Sequence, residues 1–418
     1  MQSRRHPGLV VAVTTVATVV VLALVIAILG RVAELDLTFG EITLRSQRGA
    51  DHPLPAASAP AIGPRELPPA AAEAAVRNVI LVIGDGMGIG QVSAASLLLH
   101  GADGGLALEA APVVGLVRTA AADRPVTDSA ASATAMATGF KADYRALSVL
   151  PDGRRPRTLL EAARQAGMAT GVITTSGLAD ATPAGFLVHV EKRSYHAEVL
   201  RQILASGADV LIGGDWTAYG KARRDEGYLS TLADAERLAP EGTTVIRDSS
   251  ALAGAEPPFV ALLPPRPSGD GAYGPDLEVT TRVALDHLAG RAGGFLLLVE
   301  CELTDELGHA NDIAGLVAAV AELDRAVSAV LELASDRDDT LVLVTADHDT
   351  GGLGVVSGDR FDDGRARVRW ATHDHTAHWV PLFAYGPGAQ RFGRVLDNTE
   401  IGLELARLLG LSGFPDAG

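Results

Sequence analysis

Three apolar segments of this 418-residue chain lead into side chains that bind metal ions. The segments are Val79 to Ile83, which precedes Asp85, Phe295 to Val299, which precedes Glu300, and Leu341 to Val344, which precedes Asp347 and His348. In an open sheet of parallel strands, ligands bind just beyond the carboxyl ends of the strands. Distant segments can therefore deliver carboxylates and an imidazole to one crevice. The sequence predicts a metal site at that edge of a sheet.

The composition predicts a globular protein and argues against several kinds of partner and site. Hydrophobic residues make up 47% of the chain, which is enough for a sizeable core. Lys and Arg number 35 against 51 Asp and Glu, a net charge of -16, and this balance disfavours nucleic acid because phosphate backbones bind basic surfaces. Cys301 is the one cysteine, so an intramolecular disulfide and a Cys-rich zinc site are both excluded.

The segment from Gly8 to Gly30 is an almost unbroken apolar run that follows Arg4 and Arg5. As a helix it would reach about 34 Å, enough for a bilayer core. A cleaved signal peptide has a shorter apolar region and a small-residue cleavage site, so we expect residues 1–31 to be an uncleaved membrane anchor. The positive charges at the N-terminal end then place the bulk of the chain outside the cytoplasm. If the segment is cleaved, the protein is secreted instead.

The remaining chain divides into a tether and an α/β domain. Within residues 32–77, a short strand pair is expected before residue 48, and six prolines among alanines between Asp51 and Ala71 predict a semi-extended tether. Strand and helix patterns alternate over residues 78–418, which predicts an α/β catalytic domain. A capping box at Thr158 starts one helix, and a second runs from Ile313 with apolar spacing typical of a helix on a sheet. Prolines and glycines between residues 251 and 273 predict a surface excursion.

Further candidate ligands lie outside the three strand ends. Asp305 and His309 are four residues apart at the start of a helix pattern, so both can bind one ion, although this spacing is also typical of a solvated helix face. His373, His375 and His378 offer three more imidazoles, of which at most one or two are expected to be ligands.

A candidate nucleophile is Ser129, at the predicted start of a helix rich in small residues. The backbone N–H groups at a helix start favour an anion, and a nearby dication would stabilise the serine alkoxide. The alternative is that Asp128 or Ser129 only caps the helix, which is the commoner role for such residues.

These motifs together resemble those of the alkaline phosphatases, from about Asn78 to the C-terminal end. The matching segments are Asp85-Gly-Met-Gly, Thr127-Asp128-Ser129-Ala, Asp180-Ala-Thr182-Pro, Glu300 with Asp305 and His309, Asp347-His348, and His375-Thr ten residues before Tyr385-Gly-Pro. The resemblance implies a three-layer α/β sandwich with a mostly parallel central sheet flanked by helices. It also implies hydrolysis of small phosphate monoesters through a phosphoserine, and a homodimer.

The resemblance implies a specific ligand set. A first zinc ion would be held by Asp305, His309 and His375, a second by Asp85, Asp347, His348 and the Ser129 oxygen, and a magnesium ion by Asp85, Thr182 and Glu300. The donor types agree, because zinc accepts imidazole and carboxylate whereas magnesium prefers oxygen. Arg193 would clamp the phosphoryl group with its planar fork, oriented by Asp128.

One residue departs from the bacterial pattern. Many bacterial relatives have a lysine where this chain has Glu306, and its negative charge next to Asp180 predicts weaker retention of the phosphate product.

Other functions stay open. A related hydrolase of diesters, sulfates or phosphonates is an alternative, which Ser129 and Arg193 disfavour. A membrane-tethered binding or scaffold protein without catalysis is another, and so is a set of acidic turn residues that bind no metal.

Overall fold

The computed structural model describes residues 37–38, 41–42, 51–53, 75–215, 225–264, 266, 274–358 and 365–416. The chain divides into two compact units, residues 1–50 and 51–418. The predicted anchor from Gly8 to Gly30 and most of the predicted tether lie outside the described residues. None of the helices within the described ranges has the length and apolar character that a membrane span requires.

Within the described residues, the strands form one large sheet and three small ones. In chain order they are β1 Leu37–Thr38, β2 Glu41–Ile42, β3 Asp51–Pro53, β4 Asn78–Gly84, β5 Val113–Arg118, β6 Ala169–Gly177, β7 Val210–Gly214, β8 Thr244–Ile246, β9 Phe259–Leu263, β10 Phe295–Cys301, β11 Thr340–Thr345, β12 Asp349–Thr350, β13 Gly354–Gly358, β14 Arg365–Arg369, β15 His375–Thr376, β16 Val380–Tyr385 and β17 Val395–Asp397. The large sheet has ten strands in the order β17-β5-β16-β11-β4-β10-β6-β7-β9-β8. Only β16 runs antiparallel to both of its neighbours in this sheet, so the predicted mostly parallel sheet is confirmed.

Helices flank this sheet, as predicted. In chain order they are α1 Ile89–His100, α2 Ser129–Thr138, α3 Leu159–Gln165, α4 Ala181–Leu187, α5 His196–Ala205, α6 Glu226–Ala233, α7 Ala235–Leu238, α8 Leu277–Leu288, α9 Leu303–Ala310, α10 Ile313–Ser335 and α11 Asn398–Leu408. The predicted capping box is present at the start of α3, where Thr158 accepts from the Glu161 N–H and Glu161 accepts from the Thr158 N–H. The amphipathic helix predicted from Ile313 is α10, which packs against β4 and β11.

The three segments that define the predicted metal site are neighbouring strands. β4 lies between β11 and β10, and all three are parallel. Ile83 pairs with Glu300 on one side and with Thr345 on the other, so the carboxyl ends of the strands are level. Because these apolar strands are buried throughout, their registration fixes where the following polar residues emerge.

The structure shows strands in two segments that the sequence analysis predicted to be irregular. The surface excursion expected over residues 251–273 is wrong in part, because Phe259–Leu263 is the buried strand β9, paired in parallel with β7 and β8. Its five apolar residues supply enough burial to form a strand even though prolines precede and follow them. At the start of the predicted tether, Asp51–Pro53 pairs with β14 as an edge strand. The short strand pair expected before residue 48 is present as β1 and β2.

Helix α2 is packed closely between two other helices because each contributes a glycine. A Cβ atom on Gly185 of α4 would lie 2.7 Å from the Cβ of Ala133. A Cβ atom on Gly402 of α11 would lie 2.2 Å from the carbonyl oxygen of Met136. Every residue of α2 is buried, so its first residue, Ser129, is held by contacts along the whole helix.

We expect Gly402→Ala to lower the free energy of unfolding by about 1–3 kcal/mol, because the added methyl group would overlap a backbone atom that cannot rotate away. Helix propensity alone would favour alanine over glycine by about 1 kcal/mol, so a loss of stability would result from the contact between the added methyl group and the Met136 carbonyl oxygen. Urea unfolding measures the effect. Gly290→Ala is the matched control, since a Cβ there meets no atom within 4 Å, and its change should stay within about 0.5 kcal/mol. Equal stability of the two variants would contradict the packing argument.

Candidate functional site

The predicted site residues converge at the carboxyl ends of β6, β10, β4 and β11. Glu300 is the sixth residue of β10. Asp85 follows β4 directly, and Asp347 follows β11 after one intervening residue. Asp180 caps α4 after β6, and Thr182 lies in the first turn of that helix. The parallel strands thus bring residues that are more than 250 positions apart in sequence into one buried cluster.

The centre of the cluster consists of Asp85, Asp347 and His348, all of them buried. His348 Nε2 lies 3.1 Å from Asp347 Oδ2 and 3.4 Å from Asp85 Oδ1. The same nitrogen lies 3.4 Å from Ser129 Oγ. An imidazole, two carboxylates and a serine oxygen therefore surround one position.

A second group lies nearer the surface and contains Asp305, His309 and His375. His309 Nε2 is 3.2 Å from Asp305 Oδ2 and 3.2 Å from His375 Nε2. His375 Nε2 is 3.6 Å from Asp305 Oδ1. The ring of His348 stacks on that of His375 with centroids 3.6 Å apart, which joins this group to the centre.

Backbone carbonyls orient the two outer imidazoles. His375 Nδ1 lies 2.8 Å from the Thr127 carbonyl oxygen, and His309 Nδ1 contacts the carbonyl oxygen of His373. A carbonyl only accepts, so each Nδ1 donates and each Nε2 faces the carboxylate of Asp305. His373 and His378 are exposed, and His378 faces Asp349 rather than this group. Of the three candidate histidines, the structure brings His375 to the predicted ligands.

A third group contains only oxygen donors. Asp85, Glu300 and Glu302 each offer a carboxylate oxygen within 4.8 Å of the others. Thr182 Oγ1 donates to Asp85 Oδ2 at 3.2 Å, so Thr182 also borders this group. Sequence reasoning missed Glu302. Its spacing of two from Glu300, the period with which strand residues share a face, is the signal that identifies it.

Three buried carboxylate oxygens in the cluster accept no hydrogen bond from any described residue: Asp85 Oδ1, Glu300 Oε1 and Asp347 Oδ2. His348 Nε2 is close to two of them, Asp347 Oδ2 and Asp85 Oδ1, but forms a hydrogen bond with neither. Buried anionic oxygens without donors are very costly unless they are paired with positive charge. Together with the neighbouring imidazoles, this donor set fits divalent cations.

The pKa values of the cluster reflect the same conflict between burial and charge. Burial raises the pKa of Asp85 well above its usual range, and the charges of Asp347 and Glu302 raise it further. Burial likewise raises the pKa of Glu300 to about 8 and that of Asp347 to about 7. Burial and the charge of His375 lower the pKa of His348 well below its usual value, which keeps this imidazole neutral and able to bind a cation.

Ser129 and Arg193 form the anion-binding side of the site. Arg193 Nη1 lies 3.4 Å from Ser129 Oγ and 3.3 Å from Asp128 Oδ2, and Nη2 lies 2.9 Å from Asp180 Oδ1. Burial alone would lower the pKa of Arg193, but the charges of Asp180 and Asp128 raise it, so the guanidinium stays charged. Asp128 also caps α2 by accepting from the Ala131 N–H, so capping and orientation of Arg193 are compatible roles.

Ser129, Arg193 and the outer ligand group open into one pocket. Its lining includes Ser129, Arg193 and Asp305, with Arg124, Glu306 and Asp374 nearer the exterior. The arrangement combines a hydroxyl, a fixed guanidinium and a set of cation ligands around one accessible space. It suits nucleophilic substitution at an anionic, tetrahedral centre such as phosphorus.

Comparison of the sequence with known proteins identifies one family. The profile of the family described as Alkaline phosphatase matches residues 76–218 and 262–364. Streptomycin-6-phosphate phosphatase from Streptomyces griseus is 35% identical over 412 residues, covering 81% of this chain and 91% of that protein. The alkaline phosphatase of Escherichia coli (strain K12) is 30% identical over 408 residues, covering 80% of this chain and 86% of that one.

Solved structures agree with the sequence matches. The alkaline phosphatase from the Antarctic bacterium TAB5 superimposes with a TM-score of 0.70 and 26% identity, over 81% of this chain and 100% of that one. A variant of the TAB5 enzyme with magnesium bound in its M3 site is 28% identical with a TM-score of 0.68, covering 80% of this chain and 98% of that one.

We expect the metal-free protein to lose stability as the pH rises from about 6.5 to 8. Glu300 and Asp347 have pKa values of about 8 and 7 in the folded chain, above their ordinary values, so the folded state binds protons that the unfolded state has released. Stability therefore falls as the pH rises through those values. The lowered pKa of His348 acts in the opposite direction, but mainly below pH 6.5.

Thermal unfolding of chelator-treated protein across this pH range measures the effect. A Glu300→Gln, Asp347→Asn double variant should show a flatter profile, and divalent cations should abolish the loss in the unmodified chain because they replace the protons. A metal-free melting temperature that rises with pH in this range would contradict the assignment.

Proposed function

Because the chain belongs to the alkaline phosphatase family and is a phosphomonoester hydrolase, we propose that it acts through a phosphoserine on Ser129 at a site for two zinc ions and one magnesium ion. The observation that carries the proposal is the trio of buried carboxylate oxygens without donors, adjacent to a serine that begins a helix. Magnesium in the M3 site of the TAB5 variant supports the presence of a third ion.

The three groups of ligands correspond to the three ions. We assign Asp305, His309 and His375 to the first zinc, Asp85, Asp347, His348 and the Ser129 oxygen to the second, and Asp85, Thr182 and Glu300 to the magnesium. The mixed nitrogen and oxygen donors of the first two groups suit zinc, and the oxygen-only third group suits magnesium. Asp85 lies in both of the inner groups, so it is the bridging carboxylate.

Ser129 and Arg193 have different roles in the proposed reaction. When bound, the dications lower the pKa of hydroxyl and water and neutralise charge on the phosphoryl oxygens. The oxygen of Ser129 attacks phosphorus, the bond to the alcohol oxygen breaks, and the serine proton ends on the departing alcohol. Water then attacks phosphorus, the bond between Ser129 Oγ and phosphorus breaks, and one proton of the water returns to the serine oxygen as inorganic phosphate leaves. Arg193, fixed by Asp128 and Asp180, holds two phosphoryl oxygens throughout.

The substrate class is a small phosphate monoester. Arg193 offers two donors, and a phosphoryl group with free oxygens uses both, whereas a diester has fewer oxygens free to accept. The similarity to streptomycin-6-phosphate phosphatase supports a monoester as well. A phosphodiesterase of the same superfamily is the alternative, and parallel assays on a monoester and a diester with the same leaving group distinguish the two.

The N-terminal region gives the proposed location. We propose that residues 1–31 anchor the protein in the membrane, that residues 32–77 connect the anchor to the catalytic domain, and that residues 78–418 act outside the cytoplasm. The apolar run from Gly8 to Gly30 and the preceding arginines support this arrangement. A homodimer is part of the same proposal, on the resemblance to the family alone.

We expect Ser129→Ala to abolish phosphoserine formation and to reduce monoester hydrolysis by at least about a thousandfold, because the nucleophile is removed. Labelled phosphate trapped by acid quench, followed by peptide mapping, measures the intermediate. Ser132→Ala is the control: its hydroxyl lies on the same helix but donates to the Asp347 carbonyl oxygen at 2.7 Å, so labelling should persist. Undiminished labelling of Ser129→Ala would exclude the mechanism.

We expect Glu306→Lys to strengthen inhibition by inorganic phosphate by about fivefold, because a positive charge replaces a negative one at the pocket lining. Glu306 is exposed, so solvent screening keeps the effect modest. The inhibition constant for phosphate in a monoester assay is the measurement. Glu306→Gln should show a smaller change in the same direction, and unchanged or weaker inhibition of the lysine variant would contradict the prediction.

A further inference from the structure

Glu302 is a buried carboxylate that the ligand set implied by the family resemblance does not include. It lies where β10 turns into α9, and only 9% of its surface is exposed. Its backbone N–H donates to Thr175 Oγ1 at 2.9 Å, which fixes the turn. The side chain brings a carboxylate oxygen within 4.8 Å of those of Asp85 and Glu300.

The neighbouring carboxylates leave two oxygens for a cation at this position. Asp85 Oδ2 accepts from Thr182 and Glu300 Oε2 accepts from Thr174, whereas Asp85 Oδ1 and Glu300 Oε1 are buried without a donor in the described part of the chain. Water does not reach these oxygens. A cation would satisfy both oxygens at once, because each belongs to a carboxyl group that lies close to a third one.

Glu302 belongs to a group that consists only of oxygen donors. The group contains no imidazole and no thiolate. Three carboxylates with a threonine hydroxyl are typical ligands for a hard, oxygen-preferring dication rather than for zinc.

We propose that Glu302 is a further ligand of the third cation, alongside Asp85 and Glu300. The inference rests on the third ion of the proposed function and changes its composition: the site has three carboxylates where the resemblance implies two. Affinity of such sites rises with the number of charged ligands, so this chain holds Mg²⁺ or Mn²⁺ more tightly than the two-carboxylate set would allow.

Binding of Mn²⁺ to the magnesium-depleted, zinc-loaded protein tests the proposal, with free Mn²⁺ followed by electron paramagnetic resonance. We expect Glu302→Gln to weaken binding about tenfold or more, and zinc content measured by mass spectrometry to stay constant. Glu306→Gln removes the same charge four residues away from an exposed position, and it should weaken Mn²⁺ binding less than twofold. Glu300→Gln is the positive control and should weaken binding strongly.

Each outcome has a definite meaning. Loss of Mn²⁺ affinity in Glu302→Gln but not in Glu306→Gln supports the proposal. Mn²⁺ binding by Glu302→Gln equal to that of the unmodified chain overturns it. If the same variant also binds phosphate more weakly, Glu302 acts on phosphate binding through Arg193, whose pKa its charge also raises. In that case Ser129 still forms the phosphoenzyme and the proposed function stands. Failure of the proposed function is distinct: the unmodified chain then binds no Mn²⁺ and traps no phosphate.

Discussion

The repulsion between buried carboxylates at the end of β4 is the constraint on which the site depends. Asp85, Asp347 and Glu300 are inaccessible to water, and one oxygen of each has no hydrogen-bond donor among the described residues. The folded scaffold tolerates them because the registered strands are buried over their whole length and supply stability elsewhere. Protons relieve the repulsion in part, which is why the pKa values of Glu300 and Asp347 rise. Dications relieve it more completely, so ion binding and folding are thermodynamically linked.

Rigid elements, rather than side-chain adjustment, set the geometry around this centre. Glycines at 185 and 402 let two helices pack against α2, and so fix the position of Ser129. The outer imidazoles are held through backbone carbonyls, and Arg193 is held between two aspartates. Such preorganisation lowers the cost of reaching the transition state, because few groups have to move when charge develops.

The sequence predicts the strands that carry the central ligands better than it predicts the residues and strands around them. The strands before Asp85, Glu300 and Asp347 are recognisable because apolar runs of that length have few alternatives, and parallel strands bring their carboxyl ends together. The resemblance to the alkaline phosphatases then selects His375 among three histidines, and the structure brings that one to Asp305 and His309. Glu302 and β9 were missed although the sequence contains a signal for each: a spacing of two from Glu300, and a run of five apolar residues between prolines. The local pattern does not show which carboxylates or strands lie beside them in space.

The charge of the complete site links cation binding to phosphate binding. The three cation groups and the two partners of Arg193 comprise seven carboxylates among the described residues: Asp85, Asp128, Asp180, Glu300, Glu302, Asp305 and Asp347. Arg193 lies between two of them, and the ionised carboxylates disfavour binding of a phosphate dianion when no cations are bound. Divalent cations bound at this site would supply positive charge that offsets the carboxylates. Because such coupling is reciprocal, phosphate that binds only to the ion-loaded site must in turn make the ions dissociate less readily.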